Sequence, residues 1–475
     1  MRTAYSVESV RAGERVVMDR GPEGVLMQRA AAGLAAECAR LLGKVYGARV
    51  TLLVGSGDNG GDALFAGARL ARRGAGVSAV LLAPERTHAG GLAALRAAGG
   101  VVVGAGEARA EEVVGRARLV VDGIVGIGGR GGLRERASRL VAAVRDAVVV
   151  AVDLPSGVDA DSGEVHGDAV RADVTVTFGA YKPGLFIDPA REYAGVVRLV
   201  DIGLELGEGA VEALQFADVE RLLPVPGGES DKYRRGVVGI VAGSARYPGA
   251  AVLAVAGALR GGAGAVRYVG PAADAVIARF PEALVSAGSP SKAGRVQAWV
   301  VGPGLGDDAE RLGEVLGADV PVLIDADGLR LAGERDVRAR RAPTLLTPHA
   351  GEAAALLGVA REEVEAGRLS AVRELAGRYG ATVLLKGSTT LVASAEGPVR
   401  VNPTGTPWLA TAGSGDVLSG LAGSLLAAGL DARDAGSVGA YLHGLAGRHA
   451  SNGAPVGAQD VADALPAVWR EVGRP

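Results

Sequence analysis

Arg49-Val50-Thr51-Leu52-Leu53-Val54-Gly55-Ser56-Gly57-Asp58-Asn59-Gly60-Gly61-Asp62 is a short β-rich run that breaks on a glycine turn and opens a helix. Downstream the alternation repeats. Residues 64–73 read as helix and 77–82 as a second buried strand. Elements follow at 93–98, 101–103, 119–121, 133–144 and 148–152. Strand–helix–strand alternation at this spacing predicts a mostly parallel sheet covered on both faces. Upstream, Ser6 is placed to cap a helix reaching about Arg20. A second helix, from about Glu23 to Leu42, carries Leu26, Ala30, Leu34 and Cys38 at helical spacing.

Around 201–226 the pattern loosens, and Pro224-Val225-Pro226-Gly227-Gly228 reads as a linker. Alternation restarts with strands at 237–241, 266–269, 296–301, 322–325, 344–347 and 383–386. Helices are expected at about 249–260 and 416–428. The expectation is an α/β chain of two domains, residues 1–214 and 215–475.

The chain has 475 residues, 51 basic and 53 acidic, for a net charge of -2. That balance argues against a dedicated binder of nucleic acid or of a membrane surface, since both concentrate basic residues. One cysteine, Cys38, excludes a disulfide framework, a cysteine-rich zinc site and an iron–sulfur cluster. It lies on an apolar helix face and is assigned to the core. The longest charge-free apolar runs, 247–259 and 417–430, are too short to span a bilayer, and the first eight residues hold no signal-peptide core. A cytoplasmic homo-oligomer is expected.

The first glycine segment contains G-x-G-x-x-G, a pattern that seats a pyrophosphate on a helix N-terminus. Asp58 and Asp62, however, put two carboxylates where that anion would sit. No acid closes the second strand, where Leu82 leads into Ala83 and Pro84. Asp, Asn and carbonyl oxygens suit a hard cation. A tight turn that simply needs its glycines competes evenly with both readings. Val120-Val121-Asp122-Gly123-Ile124-Val125-Gly126-Ile127-Gly128-Gly129-Arg130-Gly131-Gly132 and Ala151-Val152-Asp153-Leu154-Pro155-Ser156-Gly157-Val158-Asp159 put two more aspartates at strand ends. Carboxyl ends of strands in open α/β sheets face the ligand crevice, so the three loops can converge. Singly, each aspartate reads better as a solvated turn.

These segments, in order with Thr177-Phe178-Gly179-Ala180-Tyr181-Lys182-Pro183-Gly184, resemble the NAD(P)H-hydrate epimerase family over residues 1 to about 210. The resemblance implies a Rossmann-like three-layer sandwich and a potassium ion near Asn59, Asp122 and Ser156. It implies substrate contacts from Asp58, Asn59, Gly60, Gly61 and Asp62, from Gly126, Ile127, Gly128, Gly129, Arg130, Gly131 and Gly132, and from Asp153 as catalytic acid/base. The family usually has Asn-Asn where this chain has Asp58-Asn59.

In the second half, Gly413-Ser414-Gly415 opens a helix whose free N–H groups suit a transferred phosphoryl group. Asp416 stands at the same helix start, where it could take a proton from an attacking hydroxyl. Lys386-Gly387-Ser388-Thr389-Thr390 is a second segment fit for phosphates. An ordinary capped helix is the bland alternative for the first, and a turn hydrogen bond is the better reading of His349 alone. Together with Tyr247-Pro248-Gly249-Ala250-Ala251, Gly302-Pro303-Gly304-Leu305-Gly306 and Thr347-Pro348-His349-Ala350-Gly351-Glu352, these motifs resemble the ribokinase-like ADP-dependent NAD(P)H-hydrate dehydratases from about Asp231 onward. The resemblance implies substrate contacts from Ala250, Gly304, His349 and Asp416, with Asp416 catalytic. It implies ADP/AMP contacts from Lys386, Gly387, Ser388, Thr389, Thr390 and Gly415, with magnesium on the ADP.

The two resemblances together imply repair of hydrated nicotinamide cofactors. One domain would interconvert the R and S epimers of NADHX and NADPHX. The other would dehydrate the S epimer, converting ADP to AMP and phosphate. Two rivals are an ATP-using small-molecule kinase fused to a regulatory module, and a nucleotide-binding protein without turnover.

Overall fold

The computed structural model describes residues 1–22 and 24–473. Its chain divides into two compact units, Thr3–Ala210 and Val211–Pro475, the latter joined by Met1–Arg2.

The first unit is built on seven strands: β1 (Arg49–Val54), β2 (Gly76–Leu81), β3 (Val101–Gly104), β4 (Leu119–Gly123), β5 (Val148–Val152), β6 (Val174–Phe178) and β7 (Val196–Val200). Their order is 3-2-1-4-5-6-7 and every pairing is parallel. Valine and leucine dominate them because such strands are buried on both faces. Alternate side chains point to opposite sides. Leu52 and Val54 join Leu34, Cys38 and Leu64 in one buried cluster, whereas Leu53 and Val120 join Ala110, Val114, Ala137 and Leu140 in another. Helices Val25–Leu42 and Asp58–Arg72 cover the first face, and Arg109–Gly115 with Glu135–Ala142 the second. That makes three layers.

Ser6 caps the helix Val7–Arg20, its side chain accepting from Ser9 N–H. Glu23, where the periodicity began the second helix, lies outside the described residues. The helix expected at 64–73 starts at Asp58, so the segment Asp58 to Asp62 is its opening turns and not a loop. β6 and β7 were not expected. Their Thr-rich and Arg-interrupted runs carry a weaker apolar signal.

The second unit contains β8 (Val211–Ala213), β9 (Val237–Val241), β10 (Ala265–Val269), β11 (Leu284–Ser286), β12 (Ala298–Val301), β13 (Val322–Ile324), β14 (Thr344–Leu346), β15 (Thr382–Leu385), β16 (Thr390–Ala393) and β17 (Val399–Asn402). They run in the order 8-17-16-15-14-13-12-9-10-11. Pairings are parallel from β15 across to β11, while β15–β16–β17 is an antiparallel meander. Val211–Ala213, counted with the first domain from sequence, belongs here because it pairs with β17. The stretch 224–228 therefore lies inside this unit.

Helices Pro248–Arg260 and Ser414–Ala427 pack backbone to backbone. A Cβ at Gly257 would overlap the Val417 carbonyl, and one at Gly420 would overlap that of Ala254. Helices Ala432–Ser451 and Ala458–Val472 complete this core.

Candidate functional site

In the first unit, Asp153 follows β5 with φ 66, a left-handed conformation that a non-glycine residue rarely adopts. The bend turns its carboxylate inward, where it is 6% exposed. It accepts from Thr177 Oγ1 at 3.0 Å, from Phe178 N–H at 3.2 Å and from the ammonium of Lys182. Lys182 is 1% exposed and also donates to Thr177 Oγ1 and the Phe178 carbonyl. A buried lysine needs such a partner, because desolvating an unpaired charge costs several kcal/mol.

Asp122, at the end of β4, is fully buried, and burial pushes its carboxyl up to about 6. Three hydrogen bonds counter that rise. It accepts from Ser156 N–H at 2.8 Å, Ser156 Oγ at 2.7 Å and Ile124 N–H at 3.2 Å. Val125 N–H donates to the same serine oxygen at 2.9 Å. Asn59 donates through Nδ2 to the Val152 carbonyl at 2.6 Å, while its Oδ1 lies so close to Gly126 that a Cβ there would overlap it. Asn59, Asp122, Gly126 and Ser156 thus come together, and Val152 links them to the neighbouring Asp153.

Asp62 is buried with one carboxyl oxygen lacking a partner, and its carboxyl is pushed well up by burial and then by Asp153, Asp58 and Glu14. Glu14 is raised too, first by burial. Asp58 is exposed, and Gly60 and Gly61 are buried in the helix. The 126–132 loop closes on itself through Gly129 N–H to the Gly126 carbonyl. Leu133 N–H bonded to Asp168 anchors its far end. Within it, Ile127 is half-buried, and Gly128, Arg130 and Gly131 are exposed.

In the second unit, Gly413 (φ 87) turns the chain into the helix Ser414–Ala427. Asp416 sits in its first turn, its carboxyl pushed up to about 7. Burial is the largest cause, followed by the like charge of Asp325, with Lys386 pulling the other way and Glu352 adding to the rise. Asp325 is 1% exposed, accepting from Lys386 Nζ at 2.7 Å and from Ser419 Oγ at 2.6 Å. Glu352 lies 3.8 Å from the same ammonium. A Cβ at Gly415 would stand 3.4 Å from Lys386 Nζ, so the lysine reaches the helix start. Gly387 and Ser388 are exposed in the β15–β16 turn; Thr389 is fully buried and Thr390 begins β16.

Gly304 (φ 59) faces Ala250, whose Cβ would lie 2.7 Å from a Cβ at Gly304. His349 is 59% exposed and caps the helix Ala350–Leu357, its Nδ1 accepting from Gly351 and Glu352 N–H. It meets the other site residues through Glu352. Four ionisable groups of these clusters were not singled out as site residues from sequence: Glu14, Lys182, Asp325 and Glu352. Lys182 carried a signal, as one of only five lysines in the chain and inside a quoted motif; Glu352 lay within a quoted motif, and Asp325 closed the strand expected at 322–325. Glu14 carried none.

Among the described residues, no helix is long and apolar enough to cross a membrane. The family model described as NAD(P)H-hydrate dehydratase matches residues 238–467, and that of the YjeF-related protein N-terminus matches 23–184. The bifunctional NAD(P)H-hydrate repair enzyme Nnr of Mycobacterium tuberculosis (strain CDC 1551 / Oshkosh) is 50% identical over 92% of this chain and 91% of its own length. The chain belongs to the bifunctional NAD(P)H-hydrate repair enzymes. The enzyme of the same name from Mycobacterium leprae is also 50% identical, over 93% of each chain, and that of Corynebacterium glutamicum is 35% identical over 99% of each. Among solved structures, the Bacillus subtilis ADP/ATP-dependent NAD(P)H-hydrate dehydratase co-crystallised with ATP and Mg2+ aligns with a TM-score of 0.51 at 30% identity. It covers 54% of this repair-family chain and 97% of its own. A ribokinase-like superfamily protein from Enterococcus faecalis aligns at 0.50 and 24% identity, over 57% and 99%, a likeness of fold.

Proposed function

We propose that the first unit epimerises hydrated NADH and NADPH, and that the second dehydrates the S epimer with ADP. The observation that carries this reading is one aspartate at the ligand end of each sheet, Asp153 and Asp416, each set beside a lysine. In the first unit Asp153 moves a proton at the hydrated ring, with Lys182 and Thr177 holding its carboxylate in place. Asp58 to Asp62 and the 126–132 loop frame the nucleotide.

Asn59 Oδ1, Asp122, Ser156 Oγ and the Val125 carbonyl form an all-oxygen donor set, since Asn59 turns its NH2 away to Val152. That set fits potassium, a hard cation. A bound potassium ion would balance the Asp122 charge and draw substrate phosphate oxygens.

In the second unit, Asp416 takes the proton of the ring hydroxyl as its oxygen attacks the terminal phosphorus of ADP. The bridging P–O bond breaks and AMP departs, while the helix N–H groups and Lys386 stabilise the charge on the transferred phosphoryl group. The ring nitrogen lone pair then expels phosphate, a better leaving group than hydroxide, and loss of the neighbouring C5 proton restores the dihydropyridine. Ala250, Gly304 and His349 line the hydrate's side, and Lys386 to Thr390 with Gly415 the nucleotide's. Magnesium carried with ADP neutralises phosphate charge. A carboxyl poised near 7 suits a base working at neutral pH. A cytoplasmic homo-oligomer completes the reading, with the free, buried Cys38 suited to a reducing compartment.

Absorbance at 340 nm tests it. A mixture of R and S NADHX with protein, magnesium and potassium recovers fully to NADH on adding ADP. Recovery that stops when the S epimer is spent removes the epimerase half. No recovery with ADP or ATP removes both.

A further inference from the structure

A cleft of about 880 Å3 opens at the carboxyl ends of β1 to β4, running from Gly55 and Ser56 past Ala83 and Arg86 to the 129–140 wall. Its size suits a nucleotide. Its charge is one-sided. Glu135 is tied to Arg139 and Glu107 to Arg109. Among the described residues that leaves Arg130, Arg134 and Arg136 without a carboxylate partner against one such acid, Glu111. Arg86 adds to them, and among the described residues its one carboxylate partner is the exposed Glu85 at 3.5 Å. The Arg136 guanidinium carbon lies 4.0 Å from where a Cβ of Gly106 would stand, just past β3. Arg136 and Arg86 therefore flank the ends of β2 and β3.

In a 3-2-1-4-5-6 sheet the end of β2 is where the adenosine ribose meets the protein. An acid there holds a 2′-hydroxyl, and an arginine accommodates a 2′-phosphate. Here β2 leads through Leu82, Ala83 and Pro84, and Glu85 is not part of the cleft wall. Guanidinium groups take phosphate by two parallel N–H bonds.

We propose that Arg86 and Arg136 hold the 2′-phosphate of NADPHX, so that the first unit favours NADPHX over NADHX. The proposal rests on the epimerase reading of that unit. It places the phosphorylated adenosine beside Arg86 and Arg136, at the end of the cleft next to β2 and β3.

Full-length protein is given (R)-NADPHX or (R)-NADHX without ADP, and the epimers are separated by chromatography. Wild type is expected to show at least tenfold higher kcat/KM for NADPHX. Arg86→Ala and Arg136→Ala each cut that ratio at least tenfold through loss of kcat/KM for NADPHX, and Arg96→Ala, outside the cleft, preserves it. Equal kcat/KM for the two substrates in wild type, or equal loss for both in the variants, overturns the proposal. A second readout needs no turnover. NADP+, and not NAD+, should slow amide exchange at 82–86 and 105–108, and Arg86→Ala should abolish this. Absent protection also overturns the site, whereas protection without epimerisation of either substrate would fell the epimerase reading alone.

Discussion

Replacing Asp325 by asparagine should move the acidic limb of dehydration downward by about one to two pH units. Asp416 must be ionised to accept the substrate proton, and its carboxyl stands at about 7. At pH 6, therefore, about a tenth of the enzyme is competent, and kcat/KM falls about tenfold for each further unit. Against an ordinary aspartate value of 3.8, that position favours the protonated form by about 4 kcal/mol. Burial supplies the largest part, and a single neighbouring charge is worth about one to two units. The Asp325→Asn change would remove the like charge while keeping an oxygen for Ser419. It would also free Lys386 from its 2.7 Å ion pair, leaving the ammonium to Asp416 and Glu352. Both effects favour the ionised form, so the limb moves to about pH 5–6. Lys386→Met should do the reverse and raise it. The assay is the initial rate of NADH formation from (S)-NADHX with ADP at constant ionic strength between pH 5 and 9. A limb that stays put, or rises, in the Asp325→Asn variant refutes the electrostatic coupling.

Asp153→Asn should abolish conversion of (R)-NADHX while S-epimer dehydration continues, and Asp416→Asn should lower dehydration by about 10²–10⁴-fold with epimerisation intact, dehydration being followed at 340 nm and epimerisation by chromatographic separation of the epimers. Loss of both activities in either variant would contradict the division of labour. Potassium should raise the thermal midpoint relative to a bulky organic cation, and Asp122→Asn should erase that difference in a melting curve. Gly420→Ala would drive a methyl into the Ala254 carbonyl and cost about 3 kcal/mol. Urea unfolding should show that loss, and an unchanged midpoint would mean the two helices can part freely.

Local order was readable from the chain alone. The valine-rich strands, the Ser6 cap and the helices beginning near Pro248 and Ser414 follow from periodicity and end signals within a few residues. The aspartates at the ends of β4 and β5 could be picked out because strand ends face the crevice of a parallel sheet. Folding decided what those residues meet. Asp153 finds Lys182 29 residues on, Asp122 finds Ser156 at 34, and Asp325 finds Lys386 at 61. No period or cap encodes such pairs; they arise when parallel strands bring distant loops to one edge. The same holds for Asp62, which reads as a loop acid yet lies buried inside a helix. It holds as well for Val211–Ala213, three residues too short to announce a strand until β17 offers its edge. Burial and neighbouring charge, which set the Asp416 carboxyl near 7, exist only in the folded chain.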